Sequence, residues 1–214
     1  MKIRILISIS TFLFWIPVIM AQDVPDKLRI GISASLGKNI SSEKMAFSGY
    51  TGFSADYKKS NYGLGINLEY LLKGNLTING AVSYSNEDFI GTYFCDVCNL
   101  GYTPIPEEVD FSFIEVPISL KYYFVPHKTR WFGEVGLNNL FPLNNLGYEA
   151  QINTYVIGFK LGGGIEYNLS EKIALQLALD YNNSLSKLFM DSPDKDAYFK
   201  LRTISFGITI LKKL

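Results

Sequence analysis

Eight separate runs of this sequence alternate apolar and polar residues with a period of two, and no other feature constrains the fold as strongly. In the first, Leu28, Ile30, Ile32, Ala34 and Leu36 interleave with Arg29, Gly31, Ser33 and Ser35. The others cover Tyr62–Tyr70, Leu76–Tyr84, Ile114–Phe124, Trp131–Leu137, Tyr155–Tyr167, Ile173–Tyr181 and Thr203–Ile210. Successive side chains of a strand point to opposite sides, so each run predicts a strand with one apolar and one polar face. A soluble sandwich or a lipocalin-like periplasmic barrel would bury the apolar face. A membrane barrel would turn it outward to lipid.

The lengths of the connections favour the membrane barrel. Lys73–Asn75, Val125–Thr129 and Ser170–Lys172 are tight turns, whereas Lys38–Asn61, Asn86–Val109, Leu140–Asn153 and Asn183–Tyr198 are long. Short periplasmic turns opposite long extracellular loops are the expected asymmetry of such barrels, as is an even number of strands about ten residues long. Within the first long loop, Ser48–Tyr57 could extend a strand above the membrane.

The two faces agree. On the apolar face Tyr70, Tyr122, Phe124, Trp131 and Tyr167 fall beside the short turns, and Tyr62, Tyr84, Tyr155 and Tyr181 beside the long loops. Amphipathic rings at both ends of an aliphatic band form interfacial girdles, which makes outer-membrane lipid the expected surrounding. The polar face carries Gly and Ser with Arg29, Glu69, Glu115, Lys121, Glu134, Lys160, Glu166 and Asp180. An eight-stranded barrel has room inside only for side chains, and an unpaired charge there is costly, so these eight are expected to form a neutralised interior network. The fold expected is all-β: an eight-stranded antiparallel up-and-down transmembrane barrel with a periplasmic N-terminus. Pro117 lacks the donor for a ladder bond and is expected to mark a bulge or a local bend.

Residues 1–21 read as a signal peptide, leaving 22–214 as the barrel domain. Lys2 and Arg4 precede an apolar stretch from Ile5 to Met20, and Ala21 offers a small residue for cleavage before Gln22. The full chain has no net charge, so nothing in its balance points to nucleic acid.

The catalytic inventory is thin. His127 is the single histidine, which excludes a multi-histidine metal site, and no Ser-His-Asp set is expected around its turn. Cys95 and Cys98, the only cysteines, cannot complete a tetrahedral zinc site; in an oxidising compartment they read as a local disulfide. Gly162–Gly164 lies within a strand, with no following helix to hold a phosphate, and is read as relief of crowding inside a narrow barrel. No cofactor and no enzymatic activity are expected.

FIEVPISLKYYF (Phe113–Phe124), GLGINLEYLLKGNLTINGAVSYS (Gly63–Ser85) and GFKLGGGIEYNL (Gly158–Leu169) resemble strands of the PorT-like outer-membrane barrels of Bacteroidota. The similarity runs over nearly the whole chain after residue 21, although Leu214 stands where many outer-membrane proteins end in an aromatic residue. The resemblance implies an integral outer-membrane protein, from a family whose members take part in secretion or surface functions, with no family active site. The function expected is a structural or interaction role, in which the long loops engage other envelope or extracellular proteins. The alternative is a transport or small-ligand module.

Overall fold

The computed structural model of the chain describes residues 27–40, 44–46, 51–56, 59–95, 106–124, 128–143, 153–186, 188 and 201–214. The expected signal peptide, Cys98 and His127 lie outside the described residues. The strands are β1 (Leu28–Asn39), β2 (Lys44–Ala46), β3 (Thr51–Asp56), β4 (Ser60–Lys73), β5 (Leu76–Asn86), β6 (Phe89–Cys95), β7 (Glu107–Val109), β8 (Ser112–Tyr123), β9 (Thr129–Pro142), β10 (Val156–Asn168), β11 (Ile173–Ser184) and β12 (Arg202–Lys213).

Eight of them close a barrel in the order β1-β12-β11-β10-β9-β8-β5-β4, all neighbours antiparallel. Each of the eight alternating runs falls on one of these strands to within a residue. Closure comes from β1 meeting β12, with Arg29 opposite Lys213 and Asn39 opposite Thr203, so no barrel edge is left open. The backbone is thereby satisfied within the wall, the condition for crossing hydrocarbon with strands.

Burial shows which face is outside. Ile32 is 65% exposed, Leu36 67% and Leu179 60%, while Glu69, Lys121 and Glu166 are all 2% exposed or less. A continuous apolar exterior of this kind has no soluble counterpart and is the surface a bilayer would cover.

Interior side chains fill the lumen, and the glycines of β10 answer to that crowding. A Cβ at Gly162 would strike Asp180 Oδ1, and one at Gly164 would strike Leu177 O and come within 2.8 Å of the Phe132 ring. The turn between β4 and β5 has a different requirement: Gly74 sits at φ +63°, a left-handed conformation that glycine adopts without steric cost.

Two findings modify the reading of the sequence. Pro117 does not create a bulge. Pairing between β5 and β8 runs Gly80 to Ile118 and resumes at Ser83 to Glu115 in the same register, leaving Ala81 and Val82 without partners on β8. The ladder is interrupted but not shifted, because a missing N–H removes a bond without adding a residue. Asn139 Nδ2 donates to Val116 O at 2.8 Å beside the interruption.

The second finding is a separate sheet in the order β2-β3-β6-β7, built from the segments that follow β1 and β5. Its centre is the β3–β6 pairing, from Thr51 opposite Cys95 to Asp56 opposite Ile90. β3 lies within the stretch expected to extend a strand above the membrane, whereas β2, β6 and β7 carry no legible alternation. They are specified by pairing between two segments remote in sequence.

Candidate functional site: the filled lumen and the external sheet

Strand register brings the interior charges together. Arg29 stands opposite Glu69, Lys121 opposite Glu134, and Glu166 opposite both Arg130 and Gln176. Glu166, fully buried, is the hub of the half nearer the short turns. It accepts from Arg29 Nη1 at 3.0 Å, Arg130 Nε at 2.8 Å and Nη2 at 2.5 Å, Tyr123 Oη at 2.7 Å and Gln176 Nε2 at 2.6 Å. Arg29 Nη2 also donates to Glu69 and to Tyr123 Oη. The Arg130 guanidinium lies 3.9 Å from the Tyr123 ring centre, a cation–π contact within a desolvated site.

A second cluster adjoins the hub. Lys121 Nζ donates to Glu69 and, at 3.0 Å, to Gln176 Oε1, and lies 3.7 Å from Glu134 Oε2. Lys160 Nζ donates to Glu134 Oε1 at 3.0 Å and is 3.5 Å from Asp180. Four cations (Arg29, Lys121, Arg130, Lys160) thus face four carboxylates (Glu69, Glu134, Glu166, Asp180), and each charge has an opposite partner. Such a core is costly to desolvate and costly to break, so its primary effect is to hold one closed arrangement.

Seven of the eight expected network residues take part in these ion pairs. Glu115 does not. It accepts from Ser85 Oγ and from Asn138 Nδ2 at 2.8 Å, and no cation among the described residues pairs with it. Arg130, Tyr123 and Gln176 were not singled out in the sequence, although their parity along the strands places them inside. Glu87 was missed too: it continues the inward series Ser83, Ser85 one residue past the end of β5.

Glu87 accepts from Asn61 Nδ2 at 2.5 Å, Asn39 Nδ2 at 3.4 Å and Thr203 Oγ1 at 3.2 Å. Burial, and then the neighbouring Glu115 carboxylate, push its pKa up to about 8. Near it, the barrel's loop end carries a set of buried apolar side chains: Phe111, Phe113, Leu140, Val156, Leu188 and Leu201. The Phe111 and Phe113 rings meet edge to face at 4.6 Å.

Between the two ends lies a cavity of about 110 Å³, lined by polar groups including Asn67, Asn79, Asn138 and Asp180. That space suits a few waters. It is well below the roughly 300–1,000 Å³ of a drug-sized ligand site.

On the exterior, Tyr62, Tyr84 and Tyr155 lie toward the loops, and Tyr122, Phe124, Trp131 and Tyr167 toward the turns, all exposed; Tyr70 and Tyr181 are partly covered. Rings pair along the belts, Tyr62 with Tyr84 at 6.3 Å, Phe141 with Tyr155 at 5.4 Å and Tyr122 with Phe124 at 5.5 Å. In the external sheet Cys95 closes β6 and is disulfide-bonded. Lys59, just before β4, donates to Glu108 of β7 at 2.8 Å, bridging the two loop segments.

A closed eight-stranded barrel, apolar outside, polar and filled inside, with girdles at both ends, defines an integral outer-membrane β-barrel protein. The family model described as outer membrane protein beta-barrel domain matches residues 16–210, and the chain belongs to that family. No curated protein matches the sequence. Among solved structures, the chain is similar to the outer membrane protein OprG from Pseudomonas aeruginosa, with TM-score 0.62 and 13% identity, over 90% of this chain and 99% of that one. It is also similar to Neisserial surface protein A, with TM-score 0.50 and 14% identity, over 87% of this chain and 97% of that one. At such identities the likeness concerns the fold.

Proposed function

We propose that this outer-membrane barrel is a binding protein whose working surface is the external β2-β3-β6-β7 sheet, and that it is not an enzyme. The observation that carries this reading is the pairing of two separate loop segments into one sheet. Loops that only connected strands would have no need to pair with each other. A sheet reinforced by the Cys95 disulfide and the Lys59–Glu108 bridge is pre-organised, which lowers the ordering cost of engaging a partner. β2 and β7 are the outer strands of the sheet as described, and an incoming strand could add to such an edge. The partner class is another envelope or extracellular protein, consistent with the secretion or surface roles that the PorT-like resemblance implies. The leading segment 1–21 fits export by a cleaved signal peptide.

The interior supports the same reading from the other side. Four of its cations and four of its carboxylates are committed to one another, which among the described residues leaves no acid–base–nucleophile set there poised for chemistry. The test is affinity isolation from native outer membranes, with residues 41–58 and 89–109 replaced by short turns that spare Glu87 and Phe111. The trimmed protein should remain a heat-modifiable barrel and lose its co-isolated protein. Retention of that protein would move the activity to the wall, the interior or the periplasmic turns.

A second reading, a transport or small-ligand module, rests on the interrupted β5–β8 ladder. Ala81 and Pro117 of the interrupted segments line the central cavity. Its polar lining and small volume limit that route to water-sized solutes.

A further inference from the structure

The short-turn end of the barrel, periplasmic in this architecture, opens into a pocket of about 200 Å³ whose charges are one-sided. Lys27, Arg29, Arg130, Lys172 and Lys213 line it, against Glu171 as the one acidic residue of the described lining. The two arginines are matched by Glu69 and Glu166 beneath them. Lys27 and Lys172, both exposed, form no ion pair among the described residues. Arg29 stands opposite Lys213 across the β1–β12 seam, and like charges directly opposite one another are unfavourable. The described lining thus leaves its own positive charge uncompensated.

Neutral donors at the same pocket are also unspent. Thr77, on the inward parity of β5 and 2% exposed, lines it, and its Oγ1 has no hydrogen-bond partner. A buried hydroxyl left in that state is uncommon. Arg130 Nε and Nη2 both donate to Glu166, so Nη1 is left without an acceptor among the described residues. Ser170 Oγ accepts from the Lys172 and Ile173 amides at 3.3 and 3.1 Å, so its O–H is what it has left to offer.

We propose that this mouth binds a phosphate group taken from the periplasm. The donors are N–H and O–H groups spread over β1, β5, β9 and the turn before β11, which suits an anion with several oxygens. Guanidinium and ammonium groups together with hydroxyls are the usual partners of phosphate. A volume of about 200 Å³ holds such a group with a few waters, and falls short of the roughly 300–1,000 Å³ of a drug-sized site. Arg29, Thr77 and Arg130 point inward from the wall, so the ligand is a soluble phosphate and not a headgroup in the surrounding bilayer.

The experiment is calorimetric titration of inorganic phosphate into the full refolded barrel, in a detergent without phosphate groups. The wild-type protein should bind one phosphate, more weakly as salt is raised. Lys27→Gln/Lys172→Gln should weaken binding by about tenfold or more, having lost two charge-assisted contacts. Lys73→Gln/Lys212→Gln, which removes two exposed lysines of the same end from outside the lining, should leave it unchanged. Thr77→Val should weaken binding while unfolding, without phosphate, no earlier than wild type, since it removes only an unpartnered hydroxyl. Absence of binding to the wild type would overturn the proposal. Equal losses in the two double-lysine variants would also overturn it, since the general charge of the rim would then account for the effect. So would loss of phosphate binding in micelles containing phosphatidylglycerol, which would assign the pocket to a lipid headgroup.

Discussion

Replacing Glu166 should destabilise the barrel more than any single change on its lipid face. The carboxylate is fully buried and collects Arg29, Arg130, Tyr123 and Gln176. In Glu166→Ala, Arg130 loses its ion pair and Arg29 keeps only Glu69. Removing one partner of a buried pair costs about 3–5 kcal/mol. Arg130 and Arg29 are 24% and 15% exposed, so water at the barrel mouth relieves part of that cost and the lower end, about 3 kcal/mol, applies. Leu120→Ala is the comparison. Leu120 is 47% exposed on the outer wall, where acyl chains as apolar as leucine refill the space, so its loss should cost less than about 1 kcal/mol. Equilibrium urea unfolding of the refolded protein in lipid vesicles, followed by tryptophan fluorescence, reads both. Glu166→Gln, which keeps the volume and one acceptor oxygen, should fall between them and provides the reading if the alanine variant fails to refold. A Glu166→Ala effect no larger than that of Leu120→Ala would refute the assignment of inside and outside energetics.

Other substitutions probe the wall. Gly164→Leu should prevent closure, seen as loss of the heat-modifiable band, because its Cβ would collide with Leu177 O and the Phe132 ring; Gly133→Ala meets only the Phe124 ring at 3.5 Å and should fold. Asn139→Leu should destabilise by about 0.5–1.5 kcal/mol although it makes the lipid face more apolar, since it removes the side-chain hydrogen bond to Val116 O. A midpoint equal to or above wild type in urea unfolding would contradict that account. Pro117→Val should supply the missing donor toward β5 and slow amide exchange at Ala81, the residue opposite; exchange unchanged from wild type would show that the interruption has another cause.

The barrel was legible because alternation is a local signal repeated along each strand, and burial of one face in lipid fixes the register of the whole strand. Arg29, Glu69 and Lys121 could be placed inside from parity alone. Their partners could not, since Arg29 reaches Glu166 across the lumen, between strands that are not neighbours. Tyr123 shares the inward parity of Lys121, but only the structure shows its hydroxyl donating to Glu166, and Arg130 begins its strand just before the alternation becomes obvious. Glu115 carries the same inward parity as Lys121 yet faces only Ser85 and Asn138, a difference of neighbours that no spacing along one strand records. The external sheet was illegible for a related reason: β3 and β6 pair with each other across a long separation, which no local period in either segment records.

The central claim is that the lumen is blocked and the working surface lies outside. Single-channel recording of the refolded protein in planar bilayers tests it most directly. The ion-paired interior, together with the apolar residues buried at the loop end, predicts a silent membrane at moderate voltage. A steady conductance, retained after residues 41–58 and 89–109 are trimmed, would show a continuous path through the barrel and contradict the claim.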